Sequence, residues 1–219
     1  MIESVIMFDF DDTLFPTSYL FRYNYDFKLF DKSIEQAVFN ILTKAVETKA
    51  SVYIITNAGY DWVDYCLRSM MPRIKEMELK GDIKVLSAVD IIKKTNIDDP
   101  TINIVIDSKR LVVEQLIAML NKNKQYQLLS FGDGEPEVIA CKSIQKKFKN
   151  VRVKITRFSE RPSSNDLLGQ LRSIFRYFDN LFETQEELDL FTIKNDSELN
   201  SETFFDKQFQ EEEDQLYSW

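Results

Sequence analysis

The chain has 219 residues, 44% of them hydrophobic and 17 of them Phe, enough for one domain of ordinary size with an appendage. It contains no histidine, which excludes Ser-His-Asp and Cys-His nucleophiles, phosphohistidine and His-ligated zinc; carboxylates, Lys, Thr or a bound metal must carry any chemistry. The net charge of −8 belongs to the end: residues 181–219 hold 12 acidic side chains and two Lys, while the rest holds 24 acidic against 26 basic, a balance that gives no reason to expect nucleic acid as a partner. There is no apolar run long enough to cross a bilayer, and Glu3 stands where a targeting segment would want positive charge, so neither a membrane span nor a leader is expected. Cys66 and Cys141 lack metal-ligand spacing and predict buried thiols in a reducing, cytoplasmic setting.

Residues 5–8 (Val-Ile-Met-Phe) are an unbroken apolar run, the pattern of a strand buried on both faces in a parallel sheet. The run stops at Asp9, Asp11 and Asp12. Like charges gathered at a strand end repel and lose hydration, and a divalent cation removes the repulsion; Mg²⁺ is the natural partner for such oxygen ligands. The plainer alternative is an acidic turn after an edge strand. Residues 14–30 are rich in aromatics (Phe15, Tyr19, Phe21, Tyr23, Tyr25, Phe27, Phe30), which serve either as core under a short helix or as a grip on substrate, and Pro16 breaks any helix beginning there. Ile34, Ala37, Val38, Ile41, Leu42 and Ala45 recur at helical spacing. A second apolar run, residues 51–56, is stopped by Asn57 and Gly59; with a helix between them, the two runs read as parallel neighbours joined by a right-handed crossover. The Thr56 hydroxyl and the N–H groups after it could bind phosphate oxygens.

Residues 62–71 predict a helix closed by Pro72, residues 82–88 a third strand, Asp98-Asp99-Pro100 a turn, and residues 101–107 a short extra strand or an extended loop. Ser108 is placed to cap a helix that begins at Lys109, and a Lys in a first turn opposes the helix dipole, a mild cost that a local function would explain. Residues 125–131 form a fourth strand, followed by Gly132-Asp133-Gly134-Glu135-Pro136-Glu137. The glycines let backbone approach a ligand closely, and Glu137, one helical turn after Asp133, can point to the same place. Basic side chains from Lys142 to Arg161 predict a solvated helix face and an edge strand over 151–155, or a surface that attracts an anionic substrate. A last helix spans residues 164–182. Beyond it the acidic stretch carries Phe191, Phe204, Phe205, Phe209, Tyr217 and Trp219, too many large apolar groups for a solubilising tail, and predicts a segment that docks on a partner protein or on the body.

Asp9-x-Asp11-x-Thr13 after an apolar strand, Thr56 ending the second, Lys109 on the helix before the fourth, and Gly132-Asp133 with Glu137 resemble, in that order, the four motifs of the haloacid dehalogenase (HAD) superfamily of phosphohydrolases. Ile-Ile-Thr-Asn-Ala at 54–58, Leu-Ser-Ala at 86–88 and Ser-Phe-Gly-Asp-Gly-Glu-Pro-Glu at 130–137 are similar to small HAD-like hydrolases of plants and protists. The resemblance covers roughly residues 4–158. It implies an α/β, Rossmann-like domain over residues 1–182, with a parallel five-stranded sheet in the order 5-4-1-2-3, helices on both faces and a minimal cap, and leaves 183–219 as an acidic tail. It also implies a Mg²⁺-dependent phosphatase: Asp9 attacks phosphorus, Asp11 protonates the leaving oxygen and then activates water, and Thr56, Asn57 and Lys109 bind phosphate. Asp9, the Asp11 carbonyl, Asp133 and, through water, Glu137 would hold the cation. Lys93 and Lys94 are alternatives to Lys109. The acid at position 11 favours a phosphatase over the dehalogenase branch, which lacks one there. The short inserts imply an open site and a large phosphorylated substrate such as a phosphoprotein. The competing expectation is a scaffolding subunit with this fold, anchored in an assembly by its tail.

Overall fold

The computed structural model describes residues 2–95 and 103–191. Strand β1 (Glu3–Phe8) lies inside an all-parallel sheet of six strands. On one side of it run β2 (Ser51–Thr56) and β3 (Lys84–Ser87), on the other β4 (Tyr126–Gly132), β5 (Val151–Arg157) and β6 (Leu188–Phe191), in the order β3-β2-β1-β4-β5-β6. The period-two alternation of a strand lets β1 supply two cores. Ile6 and Phe8 pack with residues of α2 (Lys32–Glu47), α3 (Tyr60–Met70), α4 (Pro72–Lys80) and α8 (Ser164–Glu183). Val5 and Met7 pack with α5 (Ala88–Lys94), α6 (Ile104–Ala118) and α7 (Glu135–Lys147) on the opposite face. Each such fully buried side chain contributes about 1.5–3 kcal/mol. With α1 (Thr17–Arg22) these make eight α-helices among the described residues, none long and apolar enough to cross a membrane.

The expected α/β layering is present, but the sheet has six strands rather than five. The extra strand, β6, comes from the segment read as tail and pairs with β5, so β5 is not the edge. Arg157 Nε donates to Asp189 Oδ1 at 2.7 Å and its guanidinium lies 4.6 Å from the Phe191 ring, which fixes a four-residue strand set in an acidic stretch. Lys154, read as part of a solvated basic face, is buried, and its ammonium donates to Gln127 Oε1, Leu181 O and Phe182 O at 2.8–2.9 Å. Residues 192–219, where most of the expected docking aromatics fall, and the Asp98-Asp99-Pro100 turn lie outside the described residues.

Two helical starts also differ from expectation. Pro72, read only as a stop, is the first residue of α4, where its missing N–H is harmless; Gly81 closes that helix at φ +80°, a left-handed conformation. Helix α6 begins at Ile104, not Lys109, so residues 104–107 are neither strand nor loop. Asn103 and Asp107 close its first turn reciprocally: Ile106 N–H donates to Asn103 Oδ1 at 3.4 Å, and Asn103 N–H to Asp107 Oδ2 at 2.9 Å. Ser108 therefore sits inside the helix, its hydroxyl turned back onto the Ile104 carbonyl, and caps nothing.

Candidate active site

Because every strand runs the same way, the carboxyl ends of β1, β2 and β4 share one rim, where α/β sheets place their sites. The first acid there is Asp9, which extends the ladder by donating its N–H to the Phe131 carbonyl at 2.8 Å and is only 7% exposed. The chain then winds tightly: the Phe10 carbonyl accepts from Leu14 and Phe15 N–H, both at 2.9 Å. Asp12 sits at φ +57°, a left-handed position that Asp tolerates better than most residues, and its Oδ1 accepts the Ser18 N–H at 2.8 Å. This turn carries the backbone from strand to α1 and points Asp11 across the rim.

Three donors fix Asp11. Thr17 Oγ1 donates to its Oδ1 at 2.5 Å, Trp62 Nε1 to the same oxygen at 3.3 Å, and Thr56 Oγ1 to Oδ2 at 3.2 Å. Thr56, at the end of β2, also accepts the Ala58 N–H at 2.9 Å, so its hydroxyl bridges the second loop to the first acid turn. Asn57 follows it, half-buried, on the way into α3. Thr17 and Trp62 were not foreseen as site residues. Only the turn-forcing Pro16 before Thr17 hinted at the first, and nothing local at the second.

Lys109 rises from α6 into the rim and is 4% exposed. Its Nζ donates to Asp9 Oδ1 at 2.6 Å and to Glu137 Oε1. Desolvation opposes its charge, but Asp9 and Glu137 outweigh it and hold the ammonium above the usual Lys range. Lys93 and Lys94 are exposed at the end of α5, so Lys109 is the one of the three that reaches Asp9. Asp9 itself is raised well above the ordinary carboxylate range, first by burial; Lys109 pulls it down, and Glu137, Asp133 and Asp11 push it further up.

Asp133 follows β4 and is pushed up to about 7 by burial, then by Glu137 and Asp12, with Lys109 opposing. Glu137 is buried with both oxygens engaged, Oε1 by Lys109 and Oε2 by the Gly134 N–H at 3.1 Å. The flanking glycines have a specific cause. A Cβ on Gly132 would lie 2.9 Å from Glu137 Cδ and closer still to its Cγ, and one on Gly134 would lie 3.0 Å from Oε2. The close approach expected at this loop is therefore made by the side chain of Glu137, which acts as the brace of Lys109.

Among the described residues no group of three or more Asp, Glu, His or Cys side chains is arranged as a ready cation site. The donor set still fits Mg²⁺, which takes one or two carboxylates and keeps several waters: Asp9 and Asp133 are hard oxygen donors, each held against ionisation by burial and like charge, a penalty that a cation removes. Glu137, expected as a water-mediated ligand, lies beside them with Lys109 and the Gly134 N–H on its two oxygens. No protein-family model matches the chain, and no curated protein matches it.

Proposed function

We propose that the chain is a HAD-type, Mg²⁺-dependent phosphatase that hydrolyses phosphate monoesters through an aspartyl phosphate on Asp9. The observation that supports this most is the convergence of Asp9, Asp11, Thr56, Lys109 and Asp133, from four separated places in the chain, on one rim of the sheet. Asp9 and Asp133, with the Asp11 carbonyl, would hold Mg²⁺, which would supply positive charge against the phosphate oxygens and lower the cost of ionising both acids. Lys109 holds Asp9 Oδ1, so Oδ2 makes the attack on phosphorus. As the ester P–O bond breaks, Asp11 gives its proton to the leaving oxygen. It then takes a proton from water, whose oxygen attacks phosphorus, breaks the bond to Asp9 and releases phosphate. Thr17 and Trp62 keep Asp11 aimed, while Lys109, Thr56 and the N–H groups at Asn57 balance the charge on the transferred phosphoryl group.

The cover over the rim is slight, one six-residue helix and the 3-10 turn at Phe27–Leu29, which supports a large substrate such as a phosphoprotein. Burial pushes both thiols, Cys66 and Cys141, up to about 12, and neither is in a disulfide, which suits a cytoplasmic protein. The second reading, a scaffolding subunit, draws on the bonds of Lys109 to Asp9 and Glu137 and of Thr56 to Asp11, which tie the loops of the rim together. Incubation with Mg²⁺ and a generic aryl phosphate separates the two: the phosphatase turns it over and Asp9→Asn abolishes the turnover, whereas a scaffold releases no phosphate.

A further inference from the structure

The large apolar residues from Phe15 to Phe30, with Trp62 and Tyr65 of α3, do two different things. Phe15, Leu20 and Phe30 are buried in the core on the Ile6 and Phe8 face of the sheet. A second set joins ring to ring, with Trp62 and Phe27 half-buried against that core and Phe21, Tyr25 and Tyr65 exposed: Trp62 contacts Tyr25 with ring centroids 5.3 Å apart, Phe27 and Tyr65 at 6.4 Å, and Tyr25 contacts Phe21 at 5.7 Å. Phe21 is 65% exposed and Tyr65 49%, so the outer rings of the set leave much of their area in water instead of burying it. The wall begins at the candidate acid, because the Trp62 indole N–H is bonded to Asp11 Oδ1 at 3.3 Å.

That junction decides what the wall can meet. Asp11 must reach the leaving oxygen, so whatever that oxygen carries lies first against the edge of the indole. A ring bonded directly to the oxygen reaches van der Waals contact with Trp62 and its neighbours. A sugar would set hydroxyls against ring carbons and lose their hydration without gaining partners. The wall also runs further, from Trp62 to Phe21, than one phenol covers. The polarity of the two ends is matched: a phosphate dianion toward Lys109, a ring and its flanking residues along the aromatics. We infer that this wall is the leaving-group subsite of the reaction proposed above, on which the inference rests, and that it takes the phenol ring of a phosphotyrosyl peptide.

The test uses the full chain with Mg²⁺ and two peptides identical except for phosphotyrosine or phosphoserine. The ratio of kcat/KM values, phosphotyrosine over phosphoserine, is expected to fall about two- to tenfold for each ring removed in Tyr25→Ala and Tyr65→Ala, through KM, with Tyr65→Phe restoring it. An unchanged ratio while both peptides are hydrolysed overturns the inference. A rise in turnover of both peptides at an unchanged ratio means the chain's own residues 192–219 cover the wall, and overturns it too. If neither peptide is hydrolysed but acetyl phosphate is, the reaction stands and the wall assignment fails. If acetyl phosphate is also inert, the reaction and with it the leaving-group role fail, and binding decides only whether the wall takes the phenol ring. A preference of the protein for the phosphotyrosyl peptide that Tyr65→Ala removes then sustains it, and equal affinity for the two peptides overturns it.

Discussion

Replacing Lys109 by Met tests the charge architecture of the rim without reference to any substrate. Lys109 stands between two buried carboxylates, bonded to Asp9 Oδ1 at 2.6 Å and to Glu137 Oε1, with all three side chains under a tenth exposed. Removing one partner from a buried ion group strands the others, at a cost of about 3–5 kcal/mol at neutral pH. The loss has a definite pH sign. Asp9 is already raised by burial, and without the ammonium that lowers it, its folded-state pKa climbs further above the unfolded value. A carboxyl raised in the folded state binds its proton on folding, so the variant's stability falls as pH rises from the unfolded value through the folded one. Where the variant's Asp9 keeps a proton that the wild type has lost, the deficit shrinks by up to about 1.4 kcal/mol per pH unit as pH falls, so it should be smaller at about pH 5.5 than at about pH 7.5. Urea unfolding of wild type and Lys109→Met at both values, free of divalent ions, measures the difference. A cost below about 1 kcal/mol near pH 7.5, or one that is the same at both values, would refute the three-way pairing as the organising contact.

Other consequences follow from single contacts. Gly132→Ala drives a methyl into the Glu137 side chain and should cost about 1–3 kcal/mol by urea unfolding; Glu137→Ala in the same chain should remove most of that increment, and a full cost in the double variant would contradict the crowding. In metal-free protein Asp133 should take up its proton near pH 7, seen by carboxyl NMR; because its folded pKa exceeds the unfolded one, this group makes the fold less stable as pH rises from about 4 to 7, and Asp133→Asn should flatten that slope. Lys154→Met leaves Gln127 Oε1 and two carbonyls at the end of α8 without their shared donor, and should lower stability by roughly 2–3 kcal/mol in thermal or urea unfolding.

Much of the fold was legible because buried parallel strands are written as apolar runs. Residues 5–8, the run ending at Thr56 and the one before Gly132 all became neighbouring strands, and the acids that follow them met on one rim. What escaped had local disguises. The β-branched run at 104–106 carries an extended pattern, yet the Asn103–Asp107 exchange closes a helical turn across it. Strand β6 is hidden in acidic sequence because its partner is Arg157, a contact invisible before folding. Lys109 was recognisable by order, but the brace that holds it was not. Glu137 reads as one more ligand until the crowding against Gly132 shows where its side chain goes. Trp62 gave no warning and Thr17 only the Pro16 before it, since a hydroxyl and an indole become site residues only when a turn brings an acid to them.

The central claim is that Asp9 becomes covalently phosphorylated. Asp11→Asn protein, slowed in releasing the phosphoryl group, is mixed with Mg²⁺ and an aryl phosphate, quenched in acid and reduced with borohydride, which converts an aspartyl phosphate to homoserine; peptide mapping then locates the change. The account predicts homoserine at position 9 and none in Asp9→Asn. Phosphate released by the wild type with no reducible residue, or with the reduction at another acid, contradicts it.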